Sequence, residues 1–314
     1  MRYPETARKP VTDEYHGIPV EDPYRWLENS NDPAVREWTE AQTRLTRQVL
    51  DALPQRPGRY EQFKKLYSEA SPEYGWLHIR PGRLFAIKKQ PPLQQPLLVM
   101  VASADDLDTE TVLLDPNQLD PSGETAIDFY VPSLDGKKVA ISISKGGSER
   151  GDLHIYDVET CQPLDDVVTR VQIPTGGGSF AWTEQGDGLY YTRYPRPGER
   201  PEEDLDFYQQ IYFHKIGQPE SEDIYVIGKE FPRIAECEME TTTDGRYLLL
   251  IVRNGDGGEM EHYVRKPQGD WTQVTRFEDE AKEGRLGPDG YLYLLSRQAA
   301  PLGKILRTPL ENPT

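Results

Sequence analysis

Five times along the 314-residue chain a turn glycine leads straight into a short apolar strand, at near-regular intervals. The five are Pro81-Gly82-Arg83-Leu84-Phe85, Asp135-Gly136-Lys137-Lys138-Val139, Asp187-Gly188-Leu189-Tyr190-Tyr191, Asp244-Gly245-Arg246-Tyr247-Leu248 and Asp289-Gly290-Tyr291-Leu292-Tyr293. The steps between the glycines are 54, 52, 57 and 45 residues. Asp-Gly before alternating apolar residues marks a tight hairpin, because glycine accepts the positive φ of the turn. A period of about fifty residues with four strands per unit is that of a β-propeller blade. An array of immunoglobulin-like sandwiches needs about double that period, and a WD-type propeller is disfavoured because no repeat ends in Trp-Asp.

Short alternating segments fill each period and predict strands. They are 84–88, 97–101, 139–144, 153–158, 188–193, 210–216, 247–252, 261–266, 291–296 and 304–308. Blade limits follow at 72–120, 121–171, 172–230 and 231–277, with a fifth blade opening near Asp279 and holding about three strands. The Pro- and Glu-rich insertion Pro195 to Asp206 falls between the second and third strands of blade three and is expected to be solvated.

Residues 1–71 read differently. Asp32 suits a helix N-cap and Pro33 the first helical position, where its missing N–H costs nothing. Val35, Trp38, Leu45 and Val49 then recur at helical spacing, predicting a helix from about Ala34 to Ala52. Pro54 and Pro57 end it, and a second short helix carries Tyr60, Phe63 and Leu66 or Tyr67. Two helices alone bury too little to fold, so this segment is expected to pack on another domain. The fold class is therefore mainly β: an incomplete propeller at 72–314 behind an N-terminal helical segment.

A net charge of −17 disfavours nucleic acid, whose backbone rewards clustered Lys and Arg. No run approaches the ~18 apolar residues of a membrane span, and the polar N-terminus lacks the apolar stretch of a secretory signal. Cys161 and Cys237 lie far apart without metal-ligand spacing and read as reduced thiols of a cytosolic protein. Nothing in the spacing suggests a metal or cofactor.

The run Tyr15-His16-Gly17-Ile18-Pro19-Val20-Glu21-Asp22-Pro23-Tyr24-Arg25-Trp26-Leu27-Glu28, with Glu40-Ala41-Gln42 behind it, resembles the opening of the prolyl oligopeptidase family of serine peptidases. Leu113-Leu114-Asp115-Pro116-Asn117, Phe180-Ala181-Trp182-Thr183 and Asp244-Gly245-Arg246-Tyr247 are similar to propeller segments of that family. The resemblance implies a seven-bladed propeller inserted between an N-terminal helical segment and a C-terminal α/β-hydrolase domain, which the helical segment packs against. On that pattern this chain holds about four and three-quarter blades, and the catalytic domain is expected to be absent. It would be the substrate-gating lid for hydrolysis of short peptides after proline, inactive by itself. A parent similar to oligopeptidase B, which cleaves after basic residues, and a non-catalytic peptide- or protein-binding propeller are the alternatives. Its partners would be the peptide and its own hydrolase domain.

Such a hydrolase needs a serine on a G-x-S-x-G elbow with Asp and His downstream, and the sequence has no such elbow, so no catalytic residue is assigned. Gly177-Gly178-Ser179-Phe180-Ala181 and Ser148 match it only in part and read as loops. His78, His154, His214 and His262 fall in strands of different blades and read as ordinary strand residues; Trp26, Trp38 and Trp182 read as packing anchors. The acidic runs Glu202-Glu203-Asp204 and Glu278-Asp279-Glu280 are expected to be solvated. By segment matching, the resemblance offers two substrate-facing residues, Ile173 and Arg253. After Arg253 the sequence departs from the family into Asn254-Gly255-Asp256-Gly257-Gly258.

Overall fold

The computed structural model describes residues 2–171 and 178–313, which divide into two compact units, 1–70 and 71–314. The first unit begins with a hairpin of β1 (Val11–Tyr15) and β2 (Ile18–Asp22). His16 and Gly17 turn it with φ of 54° and 80°. The helical spacing of residues 1–71 predicts no strands here, although an alternating stretch around His-Gly carries the hairpin signal. Two helices follow, α1 (Pro33–Asp51) and α2 (Arg56–Ser68). Asp32 caps α1, its Oδ1 accepting from the Ala34 N–H at 2.8 Å. Asp32→Ala is expected to destabilise this unit by about 1 kcal/mol, read from the loss of helical circular dichroism on heating. The tryptophans tie down the N-terminal strip: Trp38 Nε1 donates to Thr6 Oγ1 at 2.8 Å and Trp26 Nε1 to the Ala7 carbonyl at 2.9 Å. The second helix buries none of its residues, and Tyr60, Phe63, Leu66 and Tyr67 stand exposed on it.

The second unit is a succession of antiparallel sheets, each a plain up-and-down meander. The first holds β3 (Glu73–Arg80), β4 (Arg83–Lys89), β5 (Leu97–Val101) and β6 (Thr111–Leu114). The one-turn helix α3 (Pro116–Leu119), capped by Asp115, leads into the second. This comprises β7 (Thr125–Pro132), β8 (Lys138–Lys145), β9 (Asp152–Asp157) and β10 (Gln162–Val168). The third is β11 (Phe180–Trp182), β12 (Gly188–Arg193), β13 (Gln210–Lys215) and β14 (Ile224–Ile227). The fourth is β15 (Ala235–Thr241), β16 (Leu248–Asn254), β17 (Met260–Arg265) and β18 (Trp271–Thr275). The fifth has three strands, β19 (Ala281–Leu286), β20 (Tyr291–Ser296) and β21 (Lys304–Pro309). Each strand predicted from the repeat is present, within two residues of its expected ends. The structure adds the first strand of each sheet and the fourth strand of the first four, which alternation in the sequence marked least clearly.

Successive sheets pack face to face, and four apolar clusters fill the seams. Phe85, Leu98, Val139, Ile141 and Tyr156 join the first sheet to the second; Leu153, Ile155, Val168, Trp182 and Leu189 join the second to the third. Ile211, Cys237, Leu250 and Val252 join the third to the fourth, and Leu249, Ile251, Leu292 and Leu294 join the fourth to the fifth. Alternation explains this directly: in β16 the odd and even residues serve opposite seams, so a blade strand is apolar on both faces. Gly245 shows why its turn needs glycine, although in the third sheet the left-handed residue is Gly186 rather than Gly188. The φ of Gly245 is +71°, and a Cβ there would meet the Glu184 backbone Cα of the preceding sheet at 2.7 Å. Among the described residues no strand of the fifth sheet pairs with the first, so the ring is not closed by strand pairing.

The insertion is largely exposed, as expected from its composition, but it is tied down along its length. Arg193, buried in β12, pairs with Glu199 at 2.9 Å. Asp206 receives Arg150 at 2.7 Å and Arg170 at 3.1 Å from the second sheet. Asp204 accepts from Arg233 Nε at 2.8 Å, so the run Glu202–Asp204 is a pinned one-turn 3-10 helix. The second acidic run is likewise engaged, with Asp279 Oδ2 accepting from the Arg276 N–H at 2.8 Å. Arg193 and Arg276 are near in sequence to the groups they meet, whereas Arg150, Arg170 and Arg233 lie 56, 36 and 29 residues from theirs and leave no local trace.

Candidate functional site

The first strands of all five sheets line one cavity of about 520 Å³. β3 contributes His78 and Arg80, β7 Phe129 and Val131, β11 Phe180 and Trp182, β15 Glu238 and Glu240, and β19 Arg285. A first strand is paired on one side only, so its other edge faces the middle of the succession. The lining mixes aromatic surface with carboxylates and guanidinium groups, a surface that suits the alternating polar and apolar groups of a peptide.

Several of these groups are already committed. Arg80 donates to the carbonyls of Pro132 and Ser133 at 3.0 and 2.9 Å, and Trp182 Nε1 donates to the Val131 carbonyl at 2.9 Å. Burial, with the Arg80 charge adding to it, pulls the His78 imidazole down to about 4. The Tyr130 hydroxyl donates to the Trp76 carbonyl and packs edge-on against His78. Burial also raises the Glu240 carboxyl, against the opposing pull of Arg285.

Arg253 stands at the end of β16, opposite Glu236 in register. Its Nη2 lies 2.7 Å from Glu238 Oε2, and its Nη1 3.7 Å from Met260 Sδ. The guanidinium thus reaches the carboxylate that lines the cavity. It is 27% exposed and retains donors for a ligand oxygen. Glu236 has its carboxyl raised by burial first and by nearby Asp256 second, with Arg253 opposing. Asp256 sits on the turn Gly255–Gly257, close enough to Glu236 for its charge to act on that carboxyl. The arrangement can accept an ammonium or donate to a peptide carbonyl. Ile173, the other candidate, lies outside the described residues.

The carboxylates were the signal missed in the sequence. Glu236, Glu238 and Glu240 alternate with Cys237 and Met239 along β15, a period-two pattern of an innermost strand. Burial raises the Cys237 thiol, leaving it a core side chain.

The remaining motifs resolve as structure, with one exception. Ser179 is buried, its Oγ accepting from the Met239 N–H at 2.9 Å, which makes it a brace between sheets. Ser148 lies in the exposed β8–β9 connection. Among the described residues no three His, Cys, Asp or Glu side chains are placed to hold a metal, and no helix is long and apolar enough to cross a membrane. The exception is His214. Expected to be an ordinary strand residue, it is fully buried with both ring nitrogens on carboxylates: Nδ1 2.7 Å from Asp223 and Nε2 3.1 Å from Asp166. Asp166 lies 48 residues away on another sheet, so nothing local announces the pair.

Three comparisons place the chain. The family model for "Prolyl oligopeptidase, N-terminal beta-propeller domain" matches residues 4–314. The prolyl endopeptidases of Elizabethkingia meningoseptica and Elizabethkingia miricola are 29% and 30% identical to it, each over the whole of this chain and 43% of the relative. A solved chain from a structural and mechanistic analysis of two prolyl endopeptidases superposes with a TM-score of 0.86 at 26% identity, covering 100% of this chain and 45% of that one. The chain therefore spans less than half the length of the relatives it matches.

Proposed function

The chain belongs to the prolyl oligopeptidase family, matching its N-terminal β-propeller domain, and from that premise we propose that it is the substrate-admitting part of a serine endopeptidase that cuts short peptides after proline. The observation that carries this reading is the cavity ringed by five first strands, with the Arg253–Glu238 pair beside it. A peptide entering there meets aromatic faces, carboxylates for its ammonium end and a guanidinium for its carbonyls. Cleavage would fall to an α/β-hydrolase domain supplying serine, aspartate and histidine, since this sequence has no G-x-S-x-G elbow. The exposed apolar side chains of α2, with Leu50 and Leu53, are the surface proposed to pack against that domain. Two free cysteines are in keeping with a cytoplasmic setting. The relatives carrying the name prolyl endopeptidase favour proline over basic residues as the cleavage site.

Two measurements test this. The 314-residue chain alone is expected to leave a Gly-Pro amide reporter intact; hydrolysis abolished by a serine-directed inhibitor would refute the assignment of catalysis to another domain. In the full enzyme, Arg253→Ala is expected to lower kcat/KM for a proline-containing peptide roughly ten- to a hundred-fold, mostly through KM, as for losing a charge-assisted hydrogen bond. An unchanged KM would remove Arg253 from the binding surface.

A further inference from the structure

We propose that the seam between the second and third sheets is a proton-operated latch, closed while the His214 imidazolium bridges Asp166 and Asp223 and released when it loses its proton.

The geometry places a carboxyl group at each nitrogen of the ring. Asp166 Oδ1 receives the Gly217 N–H at 2.5 Å and His214 Nε2 at 3.1 Å. Asp223 Oδ1 receives His214 Nδ1 at 2.7 Å, and its Oδ2 receives the Tyr191 hydroxyl at 2.7 Å. One carboxyl oxygen thus stands at each ring nitrogen, and a ring that carries hydrogen on both nitrogens satisfies both oxygens. All three side chains are buried: His214 is 0% exposed, Asp166 5% and Asp223 3%.

The charged groups around the ring come from each element packed on it. Asp166 belongs to β10 of the second sheet; Asp223 precedes β14 and Tyr191 sits on β12, both of the third. Arg193 and Arg196 lie near the Tyr191 hydroxyl, where their charge acts on it. Burial disfavours the imidazolium, but the hydrogen bonds and charges of Asp223 and then Asp166 outweigh it and raise the imidazole above its ordinary 6.5.

Release of a proton to solvent leaves a neutral ring with one N–H. One carboxylate then faces a ring lone pair, buried and short of a donor, and must move or draw in water. Asp166 is the one that spans the seam, and with it go the Gly217 contact and the hold on β10. A second brace persists: Glu220 accepts from the Thr169 N–H at 2.7 Å and pairs with Arg196 at 3.1 Å. The seam therefore loosens locally while the sheets stay folded. The sign follows from the raised imidazole: the stabilisation is complete below pH 6.5 and is lost as pH rises through the folded-state value above it.

Hydrogen exchange of the 314-residue chain from pH 6 to pH 9, corrected for intrinsic rates, tests this. Amides of β10 and of residues 214–224 are expected to exchange about ten-fold faster above the transition, while those of β16 and β20 keep their protection. Asp166→Asn is expected to move the transition to lower pH. A carbon-13 spectrum of His214 should show imidazolium at pH 6. A neutral ring at pH 6, or a second–third seam whose protection follows the other seams across the range, would overturn the proposal without bearing on peptide cleavage.

Discussion

Trp182→Ala will lower the stability of the propeller unit by about 3–5 kcal/mol. The indole is 1% exposed and fills the seam between the second and third sheets with Leu153, Ile155, Val168 and Leu189. Its removal leaves a cavity bounded by two rigid sheets, which have little freedom to collapse into it. The Val131 carbonyl also loses the Nε1–H donor at 2.9 Å, and a buried acceptor without a partner adds to the cost. In a unit of this size the loss corresponds to roughly 10 °C in Tm. Trp182→Phe keeps most of the ring volume and forfeits the hydrogen bond, so a loss of about 1–2 kcal/mol is expected. Equal melting temperatures for the alanine variant and the parent, by calorimetry or urea titration, would show that the seam does not depend on this side chain.

The second large effect is acid-dependent and lies at the fourth–fifth seam. His262 on β17 is fully buried, with Nδ1 2.7 Å from Thr275 Oγ1. Gly284 of β19 lies directly over the ring, where a Cβ would sit 2.5 Å from Cδ2. Burial first, and the Arg253 charge second, hold the imidazole at about 4. Unfolding returns it to 6.5, so the unfolded chain binds the proton in between. Stability from this group is whole above pH 6.5 and falls as pH drops towards 4, by about 3 kcal/mol. His78 acts in the same direction, so the measurement is a difference: His262→Gln should flatten the acid limb of the stability–pH curve by that amount. Superimposable acid limbs would mean that the ring is already charged in the fold. Gly284→Ala, which places a methyl group against a ring held by Thr275, should mimic the loss at neutral pH.

Acid thus weakens the seam built on His262 and alkali the one built on His214, although the sequence presents both as histidines in third strands of neighbouring blades. Their surroundings differ in what reaches across from the adjoining sheet: Gly284 in one case, Asp166 in the other. The same contrast separates the two aspects of the candidate site. Arg253 was offered by its likeness to a family segment, whereas Glu238, its partner at 2.7 Å, stands on a first strand that the alternation pattern did not bring out.

By itself the sequence determined the blade period, the second and third strands of each blade and the two helices, because turns, caps and alternation are set by residues a few positions apart, and its resembling segments pointed to the family. The pinned insertion, the Arg253–Glu238 pair and the opposite states of His214 and His262 were decided only by tertiary structure. Each depends on groups brought together from separate strands, and the charge a buried group adopts is set by which partner the neighbouring strand or sheet supplies.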